Sequence, residues 1–214
     1  MRITLAIAAL AWMWLWFAPG HFFHWPAMVV AMMLPTLIPQ IAHVRARSFA
    51  PRKQRAALLF VVPYLAVWII AGAAMKFLFG PVLGHPAFAP VVCLLAALWE
   101  FSPPKRRALN KCHSRPVLTA RGPKADWEIV AFALSYARFC LITCLPMMMV
   151  MLGTHDLAVM VFVTVIILYQ RAAHRPDPRA GALALLLTAL VLTLMARTPH
   201  HHLLLYKDIC NAGL

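Results

Sequence analysis

The stretch of sequence that decides the fold runs from Ala56 to Phe79 and reads AALLFVVPYLAVWIIAGAAMKFLF, with Lys76 as its one charged residue. A transmembrane helix needs about 20 mostly apolar residues, because the hydrocarbon core of a bilayer is about 30 Å thick and each helical residue advances about 1.5 Å. This stretch is both long enough and apolar enough. It therefore predicts a membrane-spanning helix.

The rest of the chain has the same character. It has 214 residues, of which 63% are hydrophobic and 12% are charged, whereas soluble domains are about 45–50% apolar and about 25% charged. Such a mixture does not provide a water-soluble surface. Six further apolar segments are found at residues 3–18, 22–44, 87–101, 128–152, 157–170 and 182–196. We therefore predict an all-α fold, a polytopic transmembrane helical bundle of about seven spans, or six, forming a single transmembrane domain over residues 1–214.

The formal net charge of +14 is concentrated in short clusters between the apolar segments. Together with Arg2, the loops 45–55, 102–127 and 171–180 hold 16 of the 20 Lys and Arg residues. This distribution is typical of cytoplasmic loops, and it argues against nucleic acid as a partner. We predict a multi-pass protein of the bacterial inner (cytoplasmic) membrane, with a cytoplasmic N-terminus and a periplasmic C-terminus.

The fifth apolar segment carries sulfur at helical spacing. Cys140, Cys144 and Met148 recur every four residues, so a helix places them on one face. Met151 lies near the same stripe, and His155 follows at its outer end. Thiolate and thioether ligands favour copper(I), whereas thiolate with imidazole also suits zinc. The spacing predicts a metal site, and the alternative is ordinary packing by apolar Cys and Met side chains.

The second apolar segment carries a similar set of residues. Met28 and Met32 are four residues apart, and His21 and His24 precede them. In the predicted topology, the outer ends of the second and fifth segments lie on the same side of the membrane. The two sets would then line one path from the outer face to the two cysteines. The alternative is that the methionines pack against neighbouring helices and the histidines lie among lipid headgroups.

Two further groups contain metal-binding side chains. Cys112 and His113 are adjacent in the basic loop 102–127, where they form a second, cytoplasmic metal candidate. The run 200–202 consists of three histidines, which either bind metal or form a solvated tail.

Arg138 is a charged residue inside the fifth apolar segment. A charge at the centre of a bilayer costs about 2.5–3.5 kcal/mol on insertion scales, so such a residue is expected to face the bundle interior or a water-filled cavity. There it would pair with Glu100 or bind an anion. The alternative is that its long side chain reaches the inner interface.

Three segments resemble a known family. Residues 31–39 read AMMLPTLIP, residues 102–106 read SPPKR and lead on to Cys112, and Cys140 to Met148 forms a Cys-and-Met core. In this order, from about residue 25 to 171, the chain is similar to an uncharacterised bacterial family described as predicted metal-binding integral membrane proteins. The resemblance implies a shared membrane fold and a metal role. The chain departs from the family pattern at Ala108 and Thr143, where the family has cysteines.

These features predict a metal-handling integral membrane protein that transports or delivers a soft metal ion, with copper as the first choice and zinc as the second. Its partners would be the lipid bilayer and a membrane cuproenzyme or another membrane protein. No hydrolase, zincin, P-loop or dinucleotide-binding motif appears in the sequence, and we predict that it is not an enzyme. Two alternatives are a non-catalytic membrane subunit or assembly partner of a larger complex, and a small-anion transporter centred on Arg138.

Overall fold

The computed structural model describes residues 2–17, 24–83, 85, 87–120, 122–154, 156–173 and 177–197. Within these residues the chain is helical and contains no strand, which confirms the all-α prediction. The helices are α1 (Arg2–Phe17), α2 (His24–Met33), α3 (Ile38–Ala46), α4 (Lys53–Leu83), α5 (Phe88–Glu100), α6 (Pro103–Cys112), α7 (Gly122–Thr154), α8 (Leu157–Ala172) and α9 (Pro178–Arg197).

Each of the seven apolar segments forms helix, but only some of these helices are long. In the described part of the chain, three are long and apolar enough to cross a membrane: His24–Ala46, Ala50–Leu83 and Gly122–Thr154, with 23, 34 and 33 residues. The other four, in α1, α5, α8 and α9, are apolar but shorter. By length and composition, these residues thus give three candidate spans, fewer than the seven predicted. A 13-residue helix such as α5 extends only about 20 Å, and the crossing of the four shorter helices stays a prediction.

Two prolines interrupt the first long helix. Pro35 begins a single 3-10 turn, Pro35–Leu37, between α2 and α3, and Pro39 follows in the first turn of α3. Proline has no backbone N–H and cannot complete an α-helical ladder. The turn is closed instead by Leu37 N, which donates to Leu34 O at 3.2 Å. The hydroxyl of Thr36 donates to Met33 O at 2.7 Å. This carbonyl oxygen, which lies next to the break, therefore accepts a hydrogen bond.

The contacts within the chain divide it into two compact units. Unit 1 comprises Met1–Met75 and Pro104–Thr143, and unit 2 comprises Lys76–Pro103 and Cys144–Leu214. Because the boundaries fall inside α4 and α7, each of these two helices contributes to both units. The prediction of one transmembrane domain over residues 1–214 stays a prediction.

Aromatic side chains that recur every four residues on α4 form the core of unit 1. Phe60, Tyr64 and Trp68 are fully buried. The ring of Phe60 lies 5.1 Å from that of Phe132 on α7, and the ring of Tyr64 lies 5.8 Å from that of Tyr136. Offset and tilted ring pairs at such distances stabilise beyond their buried area. The four-residue spacing thus fixes which face of α4 packs against α7.

The stripe on α4 continues at Gly72, where the absence of a side chain admits an indole. Trp25 of α2 packs so closely against Gly72 that a Cβ placed there would lie 1.9 Å from the indole ring. In this position the indole N–H of Trp25 donates to the carbonyl oxygen of Trp68 at 3.1 Å. The glycine therefore allows α2 and α4 to approach each other closely.

The basic loop 45–55 is joined to the start of α7. Asp126 forms ion pairs with both Arg52 and Arg55, the latter at 2.7 Å. Arg52 also donates to the carbonyl oxygen of Ala120 at 3.0 Å. Since these groups are partly or largely exposed, they orient the loop and contribute little to stability.

Unit 2 is built around α5, α8 and α9, with α9 packed against both other helices. Its buried polar centre is Glu100 of α5, whose two carboxyl oxygens accept from the amide nitrogen of Gln170 of α8 at 3.0 and 3.1 Å. Gly181 of α9 lies against this pair, and a Cβ there would be 2.8 Å from the Gln170 nitrogen. A buried carboxyl group thus receives a hydrogen-bond donor where three helices meet.

We expect Gly72→Ala to destabilise the protein by about 1–3 kcal/mol, the usual cost of overpacking a core. The new methyl group would displace the indole of Trp25 and break its hydrogen bond to Trp68. Thermal unfolding of the purified protein measures the effect. Gly80→Ala is the matched control, because Gly80 lies on the same helix and a methyl group added there would meet nothing within 4 Å. Equal melting temperatures for the two variants would contradict the close packing at Gly72.

Candidate metal centre

The sulfur residues predicted from the sequence lie on α7, which runs without a break from Gly122 to Thr154 and contains Pro146. Cys140, Cys144 and Met148 occupy three consecutive turns of this helix. All three are buried, with exposed fractions of 0%, 2% and 0%. Met151, one turn further on, is also buried. The helix therefore keeps the predicted stripe of sulfur on one face, away from solvent.

Cys140 belongs to unit 1, where it has a polar partner from α4. The hydroxyl oxygen of Tyr64 lies 3.0 Å from the Cys140 Sγ, and either atom can donate the hydrogen bond. In the same turn of α7, the side-chain hydroxyl of Thr143 donates to Cys140 O at 3.0 Å and to Phe139 O at 3.1 Å. The Cys140 sulfur is thus held by a phenol inside an aromatic core.

Cys144 belongs to unit 2, where its partner is of a different kind. Arg171 Nη2 donates to the Cys144 Sγ at 3.6 Å. Arg171 lies in the last turn of α8, beside the Gln170 that binds Glu100. A guanidinium is always protonated in proteins. A fixed positive charge therefore lies next to this sulfur, and thiolate rather than thiol is the form that binds metals.

Sequence reasoning did not identify Tyr64 or Arg171 as functional residues. Arg171 was predicted as one of the basic residues of the cytoplasmic loop 171–180. Its position directly after an apolar segment also allows its side chain to extend back along α8. Tyr64 was not singled out. Its signal was the four-residue repeat of Phe60, Tyr64, Trp68 and Gly72, which marks the packed face of α4.

The outer residues of the predicted path are only partly described. Met28 and Met32 are fully buried in unit 1, where His24 is buried as well, whereas Met148 and Met151 belong to unit 2. His21, His155 and the run 200–202 lie outside the described residues. The convergence of these groups on one path stays a prediction.

The second metal candidate, Cys112 with His113, lies at the end of α6. Cys112 is buried at the end of α6, and its carbonyl oxygen accepts from Gln40 Nε2 at 3.0 Å. The Nδ1 of His113 lies 2.9 Å from the carbonyl oxygen of Leu109, so this nitrogen carries the proton and donates. Adjacent residues at a helix end do not face each other. A cytoplasmic site formed by Cys112 and His113 stays a prediction.

Arg138 is exposed, and its guanidinium carbon lies 4.8 Å from the centre of the neighbouring Phe139 ring. This is a cation–π arrangement. Arg138 thus lies on an exposed face of α7, and the carboxyl group of Glu100 accepts from Gln170. The small-anion transporter centred on Arg138 stays a prediction.

Metal-binding side chains other than methionine do not form a larger cluster in the part of the chain that the structure describes. No group of three or more His, Cys, Asp or Glu residues within that part is arranged to hold a metal ion. The predicted set of Cys140, Cys144 and Met148 contains two residues of this kind and a thioether.

Most of the chain matches a known protein family. A family model described as PpoB2, copper chaperone, matches residues 22–194, which is most of the chain and includes every sulfur residue of α7. No curated protein and no solved structure matches the chain. The match supports the metal role expected from the sequence and specifies copper, whereas the membrane location and the bacterial source stay predictions.

We expect Gly181→Ala to destabilise the protein by about 1–3 kcal/mol, because the added methyl group would push Gln170 away from the buried Glu100. Combining it with Gln170→Ala tests this cause. With the Gln170 amide absent, most of the cost of the alanine at position 181 should disappear. Thermal unfolding of the two single variants and the double variant measures the coupling. Additive effects would show that the two residues do not interact as described.

Proposed function

Because the chain belongs to the PpoB2 family of copper chaperones, we propose that it is an integral membrane protein that holds copper(I) on α7 and delivers it to a membrane cuproenzyme or to another membrane protein. Copper is its cargo. Its task is transfer of the ion, not catalysis.

The pair of buried cysteines on consecutive turns of α7 carries this proposal. Cys140 and Cys144 lie inside the matched segment, and each has a polar side chain directed at its sulfur. Met148 adds a buried thioether one turn further on. Soft sulfur ligands select copper(I). The proposed ligands are these three residues, and Met28, Met32, Met151, His21, His24 and His155 are proposed to line the route from the outer face.

The distribution of side chains on α5 supports a membrane location. Its buried face consists of small residues and one acid, including Ala89, Ala96 and Glu100. Its exposed face carries large aliphatic residues, among them Leu95 and Leu98 with exposed fractions of 59% and 70%. Small residues at helix contacts and large apolar residues facing outward are typical of helices in a bilayer. A contiguous apolar exterior is unusual for a soluble monomer.

The helix α9 repeats this pattern. Ala182 and Ala189 are buried together with one larger residue, Leu185, whereas Leu183, Leu187 and Leu190 are more than half exposed. The proposed location is the inner membrane of a bacterium. In the proposed topology the four shorter apolar helices cross the membrane as well, so that the basic loops 45–55, 102–127 and 171–180 all lie in the cytoplasm, by the positive-inside rule.

Elemental analysis tests the copper proposal directly. The purified protein, loaded with copper under reducing conditions, is expected to retain a roughly stoichiometric amount of copper. Cys140→Ser combined with Cys144→Ser should abolish it, because a serine hydroxyl is a hard and weak ligand for copper(I).

Cys93→Ser is the matched control for that experiment, since Cys93 is also fully buried in a helix but lies on α5. This variant should bind as much copper as the wild type. Unchanged copper in the double serine variant would overturn the ligand assignment. Absence of copper from the wild type would overturn the proposed function in favour of a non-catalytic membrane subunit.

A second experiment tests location and orientation. The protein is expected to sediment with membranes and to resist extraction by alkaline carbonate. A reporter that is active only in the periplasm should be inactive when it is inserted in loop 102–127 and active when it is fused after residue 214. Release by carbonate would contradict the membrane proposal, and a reversed reporter pattern would contradict the orientation alone.

A further inference from the structure

The hydrogen bond between Tyr64 and Cys140 has a consequence for copper binding. We propose that Tyr64 is a positioning residue, whose hydroxyl holds the Cys140 Sγ in the orientation in which it binds copper(I). This inference rests on the proposed function. It assigns a role to a residue on α4, which the sequence pattern presented only as part of a packing face.

The Tyr64 ring is held firmly by its neighbours. It is fully buried, and its ring lies 5.8 Å from that of Tyr136, which in turn lies 6.2 Å from that of Phe132. Phe60, one turn earlier on α4, contacts both of these rings. A ring fixed on several sides cannot easily rotate its hydroxyl away, because protein cores are close-packed. The phenol oxygen is therefore a fixed point for the sulfur.

The hydroxyl itself is not needed to fill the core. Its neighbours Phe60 and Phe132 occupy the same cluster without one. A hydroxyl carried into an apolar interior costs free energy unless it has a partner, and here its oxygen lies 3.0 Å from the sulfur of Cys140. This hydrogen bond gives the buried hydroxyl a partner and, at the same time, constrains the position of the sulfur.

A cysteine side chain on a helix has more than one rotamer available. The hydrogen bond between the phenol and the sulfur selects the rotamer in which the Sγ faces α4. Pre-organisation of a ligand raises the affinity for its ion, because less freedom is lost on binding. Without the bond, the sulfur would also populate orientations that do not bind copper.

Tyr64→Phe removes only the hydroxyl and keeps the ring. We expect it to weaken copper(I) binding by about threefold to tenfold, the factor that corresponds to one ordinary hydrogen bond. Competition with a chromophoric copper(I) chelator measures the affinity. The ultraviolet sulfur-to-copper charge-transfer band should also shift, because the surroundings of one ligand sulfur change. A purely structural role would lower the melting temperature without moving this band.

Tyr136→Phe is the matched control. Tyr136 is buried in the same aromatic cluster, and its ring contacts that of Tyr64, so both variants remove one hydroxyl from one core. Tyr136→Phe is expected to leave the copper affinity and the charge-transfer band unchanged. Equal affinities for wild type and Tyr64→Phe, or equal losses in the two variants, would overturn the positioning role.

A second comparison shows whether Tyr64 acts through Cys140. In a Cys140→Ala background, Tyr64→Phe should have no effect on the remaining copper binding, because the sulfur that it positions is gone. An effect that persists there would overturn the proposal. Failure of the proposed function has a different signature: the wild type binds no copper, or the Cys140→Ser and Cys144→Ser double variant binds it fully, and either result overturns both inferences.

Discussion

The packing of aromatic rings along one face of α4 is the interaction on which unit 1 depends. Side chains at Phe60, Tyr64 and Trp68 repeat every four residues, so they form one continuous ridge. The ridge meets α7 through ring contacts and meets α2 through the indole that rests on Gly72. The same ridge brings the Tyr64 hydroxyl to Cys140. Packing and the contact to the proposed copper ligand therefore share one helical register, and a slip of α4 by one residue would remove both.

Hydropathy and spacing predicted the helices and the sulfur face, because both are local properties of the chain. Each apolar segment forms helix, and α7 keeps Cys140, Cys144 and Met148 buried on successive turns. The number of long spans was predicted less well. Apolar runs such as that of α5 were predicted as spans, although their helices are shorter than the length of a full span.

The side chains that contact the two cysteines could not be predicted from the sequence, for a different reason. Tyr64 lies 76 residues from Cys140, and Arg171 lies 27 residues from Cys144. Which residue of one helix meets which residue of another depends on how the two helices pack, and periodicity gives only the face that is buried. The polarity of Arg171 was also explained by the positive-inside rule, so nothing in the sequence demanded a second role. The charge of Arg138 is an unusual feature of an apolar segment, and the structure places its guanidinium over the ring of the neighbouring Phe139.

The guanidinium beside Cys144 also bears on how readily copper would leave. A thiolate carries a negative charge, and the guanidinium of Arg171 lies within hydrogen-bonding distance of the sulfur that would carry it. Opposite charges attract more strongly in a poorly solvated interior than in water. At the proposed site, the guanidinium would therefore stabilise the bare thiolate that remains after the ion departs. Release of the ion would then not require a proton to take its place on the sulfur.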